Sequence, residues 1–407
     1  MLTTNNTTKV LNLPKIFKDK SFIEVFHKIH QAGGDVALVG GVVRDILLNE
    51  KHLTDNTSFD LATNLKPEKL INIFGKNIKY LDEGLNHGTV IIKNNNYIFE
   101  TTSLRKDIST SERYASVIFQ DNWKVDASRR DLTINAIYLD IDGNVYDPLD
   151  GIRDLMIGRV EFIGEMIDRL KEDYLRLLRY IRFYSKYSKF DINEKKINII
   201  KKYSIKIKVL SKERIIDEQR RIFSEDLETS LRSAELMRKT NLDIECFGEK
   251  FELSKIRELK KILPKISWIK KISILFQKSN NKNLFKNLPI SKKEREIFDN
   301  LQNFFTEKEL TSLLSQKWKQ NVYYLGKDVG LKLLLSAPFS SNIKKRFEDI
   351  MKYKKPKLPV NGKDLLDCGL EQGQKIGEVL VRIEKNWVKS NFILTKNELL
   401  SEIDNYN

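Results

Sequence analysis

The chain has 407 residues, 41% of them hydrophobic, with 72 Lys and Arg against 56 Asp and Glu and a formal net charge of +16. Its length exceeds one compact core, so about two to four domains are expected; no apolar run approaches the roughly 18 residues of a membrane span, MLTTNNTTKVLNLPKIFKDK lacks the apolar core of a secretory signal, and Cys246 and Cys368 offer neither zinc spacing nor a disulfide framework. What remains is a protein of the reducing cytoplasm with a polyanionic partner, nucleic acid first; a composition rich in Lys, Asn and Ile explains part of the charge, and charge alone does not separate RNA from DNA.

Val36–Val39 (VALV) reads as a buried strand that runs into Gly40 and Gly41. Arg44 and Asp45 follow and open an apolar stretch, Ile46 to Leu48. Glycines let backbone approach a phosphate closely, and the N–H groups at a helix start favour an anion. Arg44 adds a forked cation suited to a triphosphate. Next comes Ser58-Phe59-Asp60, opening the segment FDLATNLKPE. Asp60 taken alone reads as a turn or cap carboxylate. Thr89–Ile92 and Tyr97–Thr101 read as strands joined by a hairpin turn at Asn94-Asn95-Asn96, with Glu100 near the end of the second.

Arg129 and Arg130 are adjacent guanidiniums able to clamp phosphate oxygens, Asp131 can orient an arginine, and Asn135 can bind a ribose hydroxyl. A surface salt-bridge network is the plainer use of such a pair. Ile134–Leu139 reads as a strand, with turns at Asp142-Gly143-Asn144 and Asp147-Pro148. After Gly158 glycines thin out and helical periodicity takes over to about Leu358. In Glu172-Asp173-Tyr174-Leu175-Arg176 the expectation is one helix on which Asp173 and Arg176 share a face. An Asp acceptor beside an Arg donor mimics the edge of a complementary base. Arg179 can reach the same nucleotide. Steps of three drift back by about 60° each, so Arg182 is expected on a neighbouring carboxylate or on RNA. On its own this set reads as a salt-bridged helix. Ser211 reads as the N-cap of a structural helix carrying Arg214 and Glu218.

From Lys255 to Lys293 lysines come thickly, interleaved with Trp268, Phe276 and Phe285. Lys261, Lys270 and Lys271 are the candidates for phosphate contacts, against the alternative of a solvated amphipathic face. Pro359 to Gly373 is a short Pro/Gly-marked element in which Lys363 beside Gly362 can hold a phosphate, or in which the glycines only join helices. An amphipathic helix is expected from about Gln374 to Lys389. No internal repeat or heptad array points to an oligomer.

Several of these segments fall in one order: LVGGVVRD (Leu38 to Asp45), FDLATNLKPE (Phe59 to Glu68), His87-Gly88-Thr89, Glu100 followed by TTSLRKD, Asp126 to Ala136, Asp147 to Arg159, Glu172 to Phe183, and Ser211 to Glu218. Together they resemble the class II tRNA nucleotidyltransferases, which add CCA to tRNA 3′ ends, and the related bacterial poly(A) polymerases. The resemblance runs from Leu38 to Glu218 and recurs weakly between Leu358 and Ser390. It implies an α+β fold: a mixed-sheet catalytic head (1–153), then a helical neck (154–230), RNA-binding body (231–357) and tail (358–407). It also implies tRNA, CTP and ATP as partners and two Mg²⁺ ions held by an Asp-x-Asp pair and a third acid. Asp60 matches the second Asp and Glu100 the third acid. Gly40, Gly41, Arg44, Asp45, Arg129, Arg130, Asp131 and Asn135 match the nucleotide-binding positions, and Asp173 and Arg176, with Arg179 and Arg182 after them, match the base-reading helix.

The departure is Ser58, where the family has the first Asp, on a connector longer than usual. A neutral hydroxyl is a poor Mg²⁺ ligand. Three readings stay open: Asp55 on the longer connector substitutes as a ligand, catalysis runs on weakened metal binding, or the chain keeps fold and RNA binding without catalysis. Poly(A) synthesis and partial CC or A addition use the same motifs.

Overall fold

The computed structural model describes residues 8–10, 12–49, 58–79, 85, 87–108, 116–263, 265–277, 288–370 and 373–401. The chain divides into two compact units. The first is Met1–Glu225 with Arg232–Glu249; the second is Asp226–Leu231 with Lys250–Asn407.

The first unit is built on an eight-stranded mixed sheet. Its strands are β1 (Thr8–Lys9), β2 (Val36–Val39), β3 (Ser58–Thr63), β4 (Ile78–Lys79), β5 (Thr89–Asn94) and β6 (Tyr97–Ser103). After β7 (Arg105–Ile108) and β8 (Ser116–Phe119), which pair only with each other, come β9 (Tyr138–Leu139) and β10 (Asn144–Tyr146), giving the order β1-β10-β9-β2-β3-β6-β5-β4. Period-two alternation decides which face carries chemistry. In β3, Phe59 and Leu61 are buried while Ser58 and Asp60 are exposed; in β6, Tyr97 and Phe99 are buried while Ile98 and Glu100 are exposed. The buried face is covered by α1 (Lys20–Gln31), which starts where the Asp19 carboxylate accepts from the amides of Ser21 and Phe22. Phe22 of α1 packs 5.1 Å from Phe59, 5.4 Å from Phe99 and 5.6 Å from Tyr97, ring to ring. Each such ring contributes about 1.5–3 kcal/mol of burial. With one face of β3 and β6 so committed, the polar residues are left on the other.

The β5–β6 hairpin turns at Asn95, whose φ of +49° is a conformation asparagine tolerates. The strand expected over Ile134–Leu139 is shorter than its apolar pattern suggests. Thr133–Asn135 forms a 3₁₀ turn, and only Tyr138–Leu139 is strand. Tertiary packing overrides the β-propensity here. The Thr133 hydroxyl donates to Asp154 at 2.7 Å, and the Thr133 carbonyl lies 2.3 Å from where a Cβ on Gly151 would stand.

Helices then dominate. The first unit adds α2 (Gly41–Leu47), α3 (Pro67–Phe74), α4 (Trp123–Ser128), α5 (Gly151–Ile157), α6 (Met166–Glu172), α7 (Leu175–Tyr187), α8 (Glu194–Tyr203) and α9 (Lys212–Ser224). Ser211 caps α9 as expected, accepting from the amide of Arg214. The described part of the second unit is helical, and its tail helix spans Gln374–Lys389. Tyr323, Val360, Leu365, Leu370, Val379, Ile383 and Trp387 form a buried cluster within it. Among the described residues no helix is long and apolar enough to cross a membrane.

Candidate active site

Strand pairing brings the two predicted acids together. β3 and β6 run parallel with Asp60 opposite Glu100 and Ser58 opposite Ile98. Residues paired in register project from the same face, so both carboxylates stand side by side with Ser58 two residues along. Gly40, which precedes α2, has φ +77°, and a Cβ there would sit 3.2 Å from Asp60 Oδ2. Glycine at 40 is thus demanded both by backbone conformation and by room for the carboxylate.

Solvent reaches Asp60, yet enough protein surrounds it that desolvation pushes its pKa up, against the pull of Arg130, Arg44, Arg221 and Arg179. Glu100 is raised as well, first by desolvation and then by the charge of Asp60. Two desolvated acids, one of them opposed by the other's charge, are relieved by a cation, so this pair suits one divalent metal ion. Among the described residues no group of three His, Cys, Asp or Glu side chains is arranged to hold a metal. Ser58, on the same face two residues from Asp60, offers a hydroxyl where a carboxylate would add a third acid. Asp55, the proposed substitute ligand, lies outside the described residues.

Beside the pair runs a chain of buried polar contacts. Arg44, on α2 with the half-buried Asp45, is 5% exposed and donates through Nη1 to the amide oxygen of Asn135. Asn135 donates in turn to Asp131 Oδ1 at 2.8 Å, and Asp131 Oδ2 accepts from Arg179 Nε at 2.6 Å. Burial alone would push Asp131 up, but Arg179, Asn135 and the amide of Leu132 hold it down at about 2. The sequence expectation that Asp131 orients an arginine is met, and the arginine is Arg179. Asn135 spends both ends of its amide here, joining Arg44 to Asp131.

Arg129 and Arg130 are both anchored on Asp126. Arg129 Nη2 meets its Oδ1 at 2.6 Å; Arg130 Nη2 meets its Oδ2 at 3.0 Å, where the Tyr138 hydroxyl also donates at 2.8 Å. Burial works against the Asp126 charge, but Arg130, Arg129 and Tyr138 together bring its pKa to about 2. Neither Asp126 nor Tyr138 is singled out by sequence reasoning. The i,i+3 and i,i+4 spacing of Asp126 to the two arginines was the available signal.

Asp173 and Arg176 are arranged differently from their expectation. Asp173 is not on a helix with Arg176. It ends α6 in an extended conformation (φ −157°, ψ 111°), and its Oδ1 accepts from the amide of Leu175 at the start of α7. A short acceptor side chain that bonds the backbone two residues on offers the chain an alternative to continuing the helix. Asp173 Oδ2 is held by Arg214 of α9 at 2.8 Å, while Arg176 pairs with Glu172 and donates to the carbonyls of Arg169 and Arg129. Arg182 turns to Glu218 of α9 at 2.6 Å, a neighbouring carboxylate as its helical position suggests. α9 therefore buttresses the residue between α6 and α7 through Arg214 and α7 itself through Glu218. Its Arg221, which sequence reasoning passed over, adds charge near both Asp60 and Glu100.

The lysine stretch is less of a surface than its composition implies. Lys271 is 2% exposed and donates to the Ser230 hydroxyl at 3.0 Å, so its assignment to RNA contact is withdrawn; it packs inside the second unit. Lys270 pairs with Asp328 at 2.5 Å. Trp268 and Phe276 are buried, and Phe285 lies outside the described residues. Helix periodicity within this apolar-basic run turned Lys271 inward with its neighbours Ile272 and Leu275. Lys261 and Lys363 are exposed.

Residues 36–161 match the family model of the poly A polymerase head domain. The chain is 27% identical to CCA tRNA nucleotidyltransferase 1, mitochondrial, of Danio rerio, with 98% of this chain and 90% of the relative covered. It is 28% identical to the CCA-adding enzyme of Ligilactobacillus salivarius, covering 96% and 97%. The crystal structure of the Bacillus stearothermophilus CCA-adding enzyme in complex with CTP superposes with a TM-score of 0.67 at 22% identity, covering 97% of this chain and 98% of that one. At that identity the superposition establishes the shared fold.

Proposed function

We propose that this chain, which belongs to the tRNA nucleotidyltransferase and poly(A) polymerase family, adds C, C and A to tRNA 3′ ends from CTP and ATP without a nucleic-acid template. It is an RNA nucleotidyltransferase. The carrying observation is the in-register Asp60–Glu100 pair beside the buried run Arg44–Asn135–Asp131–Arg179. Each addition bonds the RNA 3′ hydroxyl oxygen to the α-phosphorus of the nucleotide, releases the hydroxyl proton, and expels pyrophosphate. A Mg²⁺ ion held by Asp60 and Glu100 would supply charge at the hydroxyl and the leaving group. Ser58 weakens that hold relative to a carboxylate, so the rate depends steeply on metal concentration.

Arg44 takes the triphosphate. Asp173 accepts from the exocyclic amine and Arg176 donates to the adjacent ring nitrogen. Cytosine and adenine share that amine-beside-acceptor edge; uracil and guanine do not, so one protein edge admits both substrates and rejects both others. The functional division is head 1–153, neck 154–230, body 231–357 and tail 358–407, with Lys261 and Lys363 on the tRNA backbone. The chain works in the cytoplasm, where its free Cys246 and Cys368 are at home.

The test is incorporation of labelled CTP into a tRNA lacking CCA. Incorporation is expected in the natural protein and is lost in Asp60→Asn and in Glu100→Gln. Undiminished incorporation in both variants would end the assignment of the pair. Ser58 favours a second reading, an RNA-binding protein that no longer transfers nucleotides. It stands if the natural protein binds tRNA but incorporates nothing at saturating Mg²⁺.

A further inference from the structure

Three guanidiniums gather round one ring. Phe183, on α7, is 3% exposed. The guanidinium carbons of Arg182, Arg44 and Arg179 lie 4.2, 4.8 and 5.4 Å from its centroid. Tyr187, one turn on, faces Arg44 at 5.3 Å and lies 6.2 Å from Phe183 with the rings inclined by 21°. Two of the three cations have a carboxylate: Arg179 has Asp131 and Arg182 has Glu218. Arg44 has none. Its hydrogen bond goes to the neutral amide oxygen of Asn135, and its Nε is buried without a partner. Its Nη2 lies 3.5 Å from where a Cβ on Gly41 would stand, against the glycine turn.

A buried guanidinium without a hydrogen-bonded carboxylate is unfavourable unless something replaces water around it. The negative faces of two aromatic rings do so without neutralising the charge. A carboxylate in their place would hold Arg44 more strongly and cancel its attraction for an anion. An aliphatic side chain would fill the volume and leave the charge unsupported.

We infer that Phe183, seconded by Tyr187, is a positioning residue that keeps Arg44 desolvated, charged and uncommitted at the Gly40-Gly41 turn, so that the nucleotide triphosphate becomes its counter-ion. This rests on the nucleotide-transfer reading given above. Phe183 touches no substrate; it acts through Arg44.

The experiment measures CTP affinity by calorimetry, together with KM and kcat for CTP, in Phe183→Leu, Phe183→Tyr and Tyr187→Leu, each in the natural and the Arg44→Gln background. Phe183→Leu is expected to weaken CTP binding by about tenfold, raising KM far more than it lowers kcat. Phe183→Tyr restores the affinity. In the Arg44→Gln background the leucine adds no further loss. Equal losses in both backgrounds, or a fall in melting temperature with unchanged KM, would reduce Phe183 to a core residue and overturn the inference. Tyr187→Leu, at a half-buried position, gives the same comparison if Phe183→Leu does not fold. If the natural protein binds neither CTP nor ATP, the transfer reading fails. The melting temperatures of the same variants then decide the ring's tie to Arg44: coupled changes uphold it and additive ones refute it.

Discussion

Asp131→Asn removes one charge from the middle of the buried polar run and leaves the shape nearly intact. Asp131 is 7% exposed, and its two oxygens accept from Arg179, Asn135 and the amide of Leu132 at 2.6–2.9 Å. Its folded pKa of about 2 lies well below the ordinary aspartate value. That difference corresponds to roughly 2–3 kcal/mol of stability carried by the charged form. The sign follows from a depressed acid: the contribution is complete above the unfolded pKa and is lost as pH falls through the folded one, that is, between about pH 5 and pH 2. The pair is not fully enclosed, since the Arg179 side chain is 29% exposed, so solvent recovers part of the loss and about 1–3 kcal/mol is expected at pH 7. For a unit of this size that lowers the melting temperature by about 3–10 °C. Scanning calorimetry of the natural protein and the variant at pH 7 and pH 3 checks it. The gap should narrow at the lower pH as protonation brings the natural protein towards its variant. A gap equally wide at both, or none at pH 7, would refute the electrostatic role of Asp131.

Gly40→Ala forces a side chain onto a residue at φ +77° and brings a Cβ within 3.2 Å of Asp60 Oδ2. It should cost about 1–3 kcal/mol and depress turnover more than tRNA binding, read by single-turnover kinetics and filter binding. Ser58→Asp supplies the third carboxylate and should lower the Mg²⁺ concentration at half-maximal rate by at least about tenfold, measured by titrating metal in the incorporation assay; an unchanged midpoint would show that position 58 faces no metal. Lys271→Met removes a buried ammonium and should change the melting temperature while leaving the tRNA dissociation constant and its salt slope as they were. A flatter salt slope would put Lys271 back on the RNA.

Much of the head was legible because strand alternation is a strict rule. Phe59 between the polar Ser58 and Asp60 fixes the open face of β3, and the same rule on β6 puts Glu100 on that face. That the two strands are parallel neighbours with Asp60 opposite Glu100 is a tertiary fact no local pattern carries. The helical spacing of Asp173 and Arg176 fails because Asp173 is an extended residue that ends one helix before the next begins, and its partner Arg214 lies 41 residues away. Lys271 was misread because composition does not say which way a helix faces. The Arg44 environment was hidden for a third reason: Phe183 and Tyr187 look like ordinary core residues until the distances to the guanidiniums are known.

A tRNA ending at the discriminator base, incubated with the protein, Mg²⁺ and CTP, then with ATP added, gives a ladder that counts the additions. Two steps with CTP and a third only after ATP, with no growth beyond it, is the expected pattern. A long A tail, or no extension at any Mg²⁺ concentration, would contradict CCA addition by this chain.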